Sequence, residues 1–232
     1  MGLKNLSSAN LERWNFESDI SSLPVSWFIG KSHSNEPLAI KIMNELLKKE
    51  LLSMAEEDQR ILRELHDSGE LATVEYHPKM KQVHEKNNNR IKEIITKHGW
   101  PGVDLVGKDG AEAAWLITQH AVLDTEFMDS CLPLLEKAVI NKQAEGRHLA
   151  FLQDRTLNMS GKLQKYGTQF NINEHGKAVP FPIEKPEKVD DLRRELGLET
   201  LSERTNHIQK LHDKMVENKK KIASLPINAD GK

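Results

Sequence analysis

Asp58 stands where an apolar residue is expected. Met54, Asp58, Ile61 and Leu65 follow at intervals of four, three and four, the spacing of one helix face. A carboxylate carried into a core is costly unless it is paired or protonated. Three further stretches repeat the anomaly. Asn87 leads a face that continues through Ile91, Ile94 and His98. His120 shares a face with Ala113, Leu116 and Ile117. His148 and Arg155 share one with Phe151 and Leu152.

Taken singly, each has an ordinary account. Asp58 can sit at a rim beside Arg60 or Arg63, and Asn87 can cap a loop. His120 falls near a helix C-terminus, where the dipole favours an imidazolium, and Arg155 can extend its guanidinium to water. Four such residues on four inward faces point to a buried polar network or a pocket. The inventory suits chemistry. His120 has the side chain for proton transfer near neutral pH. Asp58 would orient it or bind a substrate cation. Arg155 would hold a phosphate or carboxylate in a fork, and Asn87 and Gln119 would read a polar group on the ligand.

The expected function is therefore an enzyme acting on a small polar or anionic substrate by hydrolysis or group transfer. It would be centred on His120, Asp58 and Arg155. One alternative is a binding or regulatory protein whose polar cluster is structural and whose partner docks on residues 202–232. Another is a metal-dependent enzyme with Asp58, His120 and His148 as ligands, in which further partners would fix both imidazoles. The sequence specifies no cofactor.

Several classes are disfavoured. There is no GxGxxG, Walker A, GxSxG, HExxH or CxxC pattern, and no paired Glu-x-x-His motif for a helical di-metal site. No two of the ten histidines fall three or four apart. Cys131 is the only cysteine, which excludes an internal disulfide and a cysteine-based zinc site. It reads as a small core residue. Lysine plus arginine number 33 against 35 acidic residues, so no general attraction to nucleic acid or anionic membrane follows. The first residues have no apolar signal-like run, and no stretch approaches transmembrane length. The expected location is cytoplasmic.

The elements that must carry these residues are mostly helical. Aromatics are only 5% of the chain, and long aliphatic and charged side chains suit helices. Residues 1–36 form an irregular arm in which Trp14, Phe16, Trp27 and Phe28 could pack on the body. A long helix follows, capped by Asn35 with Pro37 in its first turn and stopped by Gly69. A second runs from about Pro78 to His98, closed by Gly99 and Pro101. After a VGKDG loop comes the helix of AEAAWLITQHA. The next is capped at Asp124 and Thr125 and expected to kink or break at Pro133. Another spans about Glu145 to Met159. Residues 163–183 read as a small β-hairpin or pair of extended segments. A short helix ends at Gly197. A polar helix then carries a thin seam of Ile208, Leu211 and Met215. The fold class is mainly α: a compact multi-helix bundle with core 37–201 and a polar helix and tail over 202–232.

The stretch from about Asp58 to Leu201 resembles the bacterial domain-of-unknown-function family 6624. The matching pieces are Asp58–Gln59, NNNRIKEIITKHGWP, VGKDGAEAAWLITQHA, CLPLLEKAV, RHLAFLQDR, LQKYGTQF and PIEKPEKVDDLRRELGL, in order. The resemblance implies that Asp58, Asn87, Gln119, His120, His148, Arg155 and Gln169 belong to the family's motif. With Tyr166 beside Gln169, the substrate-facing set becomes Asn87, Gln119, His148, Gln169 and Tyr166. It implies no particular activity. The chain departs from the pattern at Val122, where an Asp would directly follow QHA; Asp124 is retained.

Overall fold

The computed structural model describes residues 38–70 and 76–223. The expected N-terminal arm, the Asn35 cap, Pro37 and the last nine residues lie outside the described residues. Among those described there are seven α-helices: α1 (Leu38–Asp67), α2 (Pro78–His98), α3 (Val103–Gln119), α4 (Thr125–Ile140), α5 (Gly146–Met159), α6 (Val189–Glu195) and α7 (Leu201–Ala223). A two-stranded antiparallel hairpin, β1 (Phe170–Ile172) with β2 (Ala178–Pro180), lies between α5 and α6. The fold is mainly α, and the hairpin falls inside the expected 163–183 segment.

The main core follows from helical periodicity. Leu47, Leu51 and Met54 of α1 meet Ile91 and Ile94 of α2 and the Ala113–Ile117 face of α3. Met128, Cys131 and Leu135 of α4 and Leu152 of α5 complete it. Each large aliphatic side chain so buried contributes about 1.5–3 kcal/mol. The α1–α3 pairing is the most extensive. It brings the Asp58 end of α1 to the C-terminal end of α3.

Local chemistry sets the ends. Pro78 occupies the first turn of α2, where the His77 ring accepts from the Lys79 N–H. Gly99, at φ 71°, supplies the left-handed stop. The expected VGKDG loop shrinks to a break at Gly107, at φ 74°. The chain is helical on both sides of it, because Val106 and Ala111 are core residues that hold both segments down. Asp124 caps α4 by accepting from Phe127 N–H at 3.0 Å. The helix then runs through Pro133 without a break. Proline costs one backbone bond there, and the buried side chains on either side of it keep the helix together.

The C-terminal helix α7 docks on the hairpin. Ile208 is buried against Phe170 and Ala178, and Leu211 joins them. Gln209 accepts from Ala178 N–H at 2.9 Å and donates to the Gly176 carbonyl at 2.9 Å. Two members of the expected seam, Ile208 and Leu211, are thus used within the chain. No helix of the described residues is long and apolar enough to cross a membrane.

Candidate active site

Asp58, His84 and His120 meet in the interior, from α1, α2 and the C-cap of α3. They are 0%, 4% and 3% exposed. Both Asp58 oxygens lie against His120 Nδ1, at 2.9 and 3.0 Å. Oδ2 also faces His84 Nε2 at 3.0 Å, although the ring N–H is not aligned for a good hydrogen bond. Gln59 Nε2 donates to Oδ1 at 3.1 Å. On the far side of His84, Tyr76 Oη bonds to Nδ1. The result is a chain from Tyr76 through His84 and Asp58 to His120.

The chain ends on a bare atom. His120 Nε2 is buried and has no hydrogen-bond partner. An ionised carboxylate only accepts, so His120 must donate from Nδ1, which leaves Nε2 as a lone pair. Burial works against the Asp58 charge, but the two imidazoles outweigh it and hold the carboxyl far below the ordinary carboxylate range. For His120, burial dominates over the attraction of Asp58 and pushes the ring below its ordinary 6.5. The positive charge of Arg155 pushes it the same way. Both shifts favour an Asp58 carboxylate beside a neutral His120.

The expected residues divide between this site and two others. Arg155 is buried and donates from Nη1 to the Gln119 carbonyl at 3.2 Å. Gln119 Oε1 and Asn87 Oδ1 are buried without partners, and Asn87 Nδ2 reaches the Met54 carbonyl at 3.5 Å. Tyr166 and Gln169 belong to the loop before β1. Asp154 accepts there from the N–H groups of Lys165, Tyr166 and Thr168 at 2.8–3.0 Å, Gln164 accepts from Gln169 N–H at 2.7 Å, and Arg193 donates to the Tyr166 carbonyl at 2.8 Å. Gln169 Nε2 bonds to Thr168 Oγ1 at 3.1 Å.

His148 pairs with Glu112, not with Asp58. Its Nε2 lies 2.8 Å from Glu112 Oε2. Glu112 sits eight residues before His120 on α3, about 12 Å along the helix. The set of Asp58, His120 and His148 considered as metal ligands is therefore not assembled. Among the described residues, the group that could hold a cation is Asp58, His84 and His120, whose ligand atoms all lie within 4.8 Å of one another.

Sequence reasoning missed His84, Tyr76 and Glu112. A signal for His84 existed: His84, Asn87, Ile91 and Ile94 follow at three, four and three. Tyr76 lies outside any helix, so no periodicity marks it.

Comparison with known proteins decides the family. The model of the family of unknown function DUF6624 matches residues 45–217. The chain belongs to that family. No curated protein and no solved structure matches it. The DUF6624 match holds the whole chain from Tyr76 to His120, the Glu112–His148 pair, the hairpin and most of α7. It thus reaches beyond the 58–201 stretch that carried the resemblance. The helix that packs on the hairpin is largely part of the DUF6624 region.

Proposed function

We propose that this protein is an enzyme acting on a small polar or anionic substrate, with His120 transferring the proton. The observation that carries the reading is the bare, buried Nε2 of a ring whose Nδ1 is held by both Asp58 oxygens. An acceptor left unpaired in an interior costs about 1–3 kcal/mol, a cost that a working base explains. Asp58 fixes the tautomer and stabilises the imidazolium formed when Nε2 takes a proton. Gln59 and the Tyr76–His84 arm hold Asp58 in turn. Arg155 is the cation for a substrate anion, and Asn87 and Gln119 offer unpartnered oxygens to substrate donors. Because His120 is 3% exposed, substrate reaches Nε2 only when neighbouring side chains move outward.

The reaction class that fits is hydrolysis or group transfer, in which His120 activates water or a hydroxyl and returns the proton to the leaving group. A panel of aryl esters, aryl phosphates and small amides, tested on wild type and on His120→Gln with folding checked by circular dichroism, is the direct experiment. Loss of general-base catalysis lowers turnover by about 10²–10⁴-fold. Turnover of the same substrate at the wild-type rate by folded His120→Gln removes His120 from the chemistry.

A metal-dependent reading rests on one observation, the misaligned His84 Nε2 3.0 Å from Asp58 Oδ2, as if both faced a common ion. Charge balance favours the metal-free reading. With neutral imidazoles, Asp58 and Arg155 cancel, whereas a dication would leave the buried cluster strongly positive. One equivalent of metal in purified wild type, lost in Asp58→Asn and His84→Ala, would replace the acid–base reading.

A further inference from the structure

Loops normally run over the surface, because a buried one must find partners for its own backbone. Residues 164–169, between α5 and β1, are buried except for the half-buried Lys165. On the hairpin side, Gln164 accepts from Gln169 N–H at 2.7 Å and donates to the Gln169 and Phe181 carbonyls at 3.0 and 2.8 Å. Arg193 donates to the Tyr166 carbonyl at 2.8 Å and to the Glu199 carbonyl at 2.6 Å. Gly167 lies in the left-handed region, at φ 64°, and a Cβ there would come within 2.7 Å of Ile183 Cδ1 and 2.9 Å of Leu201 Cδ1. The loop, the hairpin, α6 and the start of α7 are thus tied into one block.

The block meets the bundle along α5. Phe170, Ala178 and Ile208 form its own apolar cluster, apart from the bundle core. Leu196 packs on Gly146 at the start of α5, and the Arg204 guanidinium lies over the Phe151 ring at 5.3 Å. At its loop end the block is tied to α5 through Asp154, which takes the N–H groups of Lys165, Tyr166 and Thr168. Residues 160–163, the connection from α5 to the block, are exposed.

The same turn of α5 borders the His120 site. Asp154 is followed by Arg155, whose Nη1 reaches the carbonyl of Gln119, the residue before His120, at 3.2 Å. The last turns of α5 therefore carry the loop on one side and the end of α3 on the other. The His120 ring turns Nδ1 to Asp58 of α1, so Nε2, on the far edge of the ring, faces away from α1. Nε2 is buried, and something must move before any molecule meets it.

We propose that residues 164–169 are the lid of the His120 site and that Asp154 is its latch. Release of the three N–H groups from one carboxylate lets the loop and its block swing from α5 about residues 160–163, while the bundle core stays closed. Openings of this kind, smaller than global unfolding, are the ordinary source of active-site lids. The inference rests on His120 being a working group, but it concerns access to Nε2 and not the role of that atom in turnover.

Diethyl pyrocarbonate, which acylates an unprotonated imidazole nitrogen, tests this on the whole protein without a substrate. Labelling of each histidine is followed by peptide mass spectrometry, and amide exchange is measured in parallel. In wild type, His120 labels more slowly than the exposed His175 by the factor that slows exchange of the Tyr166 and Thr168 N–H groups, to within about ten-fold. Exchange at Leu116 and Ile117, in the bundle core, is slowed further than either. Asp154→Asn, which keeps one acceptor oxygen, speeds both His120 labelling and loop exchange by about ten-fold. The wild-type comparison decides the matter by itself if that variant fails to fold. Three results each overturn the proposal. His120 labels as fast as His175, or it is slowed as much as Leu116 and Ile117, or folded Asp154→Asn speeds exchange at Tyr166 and Thr168 without speeding His120 labelling. Loss of activity in His120→Gln, or its absence, bears on the role of His120 and leaves these outcomes unchanged.

Discussion

Asp58 and His120 are 62 residues apart in the chain, yet both carboxylate oxygens lie within 3.0 Å of His120 Nδ1. The α1–α3 pairing makes this contact, and the contact fixes which imidazole nitrogen carries the proton.

Acid should destabilise the fold in two stages. His120 has a folded pKa below its unfolded value of 6.5. The unfolded chain therefore takes up a proton first, and the stability present above pH 6.5 is lost as pH falls below it. Asp58 is likewise depressed from 3.8, so its contribution is present above that value and is lost at lower pH. Urea melts from neutral to acid pH should show stability starting to fall near 6.5, and His120→Gln should remove that first stage. A flat profile down to about pH 5 in wild type, well below the ordinary imidazole pKa, would contradict the assignment.

Tyr76→Phe removes the hydroxyl that bonds to His84 Nδ1 and leaves a buried ring nitrogen unpaired. The expected cost is about 1 kcal/mol, read by chemical denaturation. The His84 ring resonances should shift more than those of His148, which belongs to the other cluster. Equal shifts in both would show that the two clusters are not independent.

Asp154 is the anchor of the loop before the hairpin, because it accepts three backbone N–H groups. Asp154→Ala strands those donors and should cost about 3 kcal/mol. Asp154→Asn, which keeps one acceptor oxygen, should cost less. Hydrogen exchange at residues 165–168 should rise in the same order. Wild-type protection in the alanine variant would show that the loop is held by other contacts.

Cys131 is buried and its thiol is pushed up to about 12, chiefly by burial. Native protein should resist iodoacetamide at mildly alkaline pH and label only after denaturation. Rapid labelling of the native state would show that α4 opens readily.

Much of this was legible in the sequence, for physical reasons. Helical spacing put Asp58, Asn87, His120, His148 and Arg155 on inward faces, and all five are buried. The stop at Gly99 and the cap at Asp124 follow from local backbone chemistry. Spacing does not report how one helix slides against another. The register of α5 on α3 sets His148 opposite Glu112, two turns from His120, and no single-helix pattern contains that register. The face read from Asn87 through Ile91 and Ile94 reaches His84 one step earlier, and α2 buries the adjacent Val83 together with it, so neither position stands out by spacing alone. Tyr166 and Gln169 lie within the DUF6624 match, yet the Tyr166 N–H serves the Asp154 anchor and the Gln169 N–H and carbonyl are held by the Gln164 side chain. The carboxylate that holds His120 comes from α1, 62 residues earlier in the chain.

The most direct test is the protonation state of His120, read from imidazole ¹⁵N shifts and long-range ¹H–¹⁵N couplings in the whole protein across the neutral range. The prediction is a neutral ring with its proton on Nδ1 and a bare Nε2 at about pH 7, persisting to below 6.5. An imidazolium at neutral pH, or a neutral ring protonated on Nε2, would contradict the role given to His120.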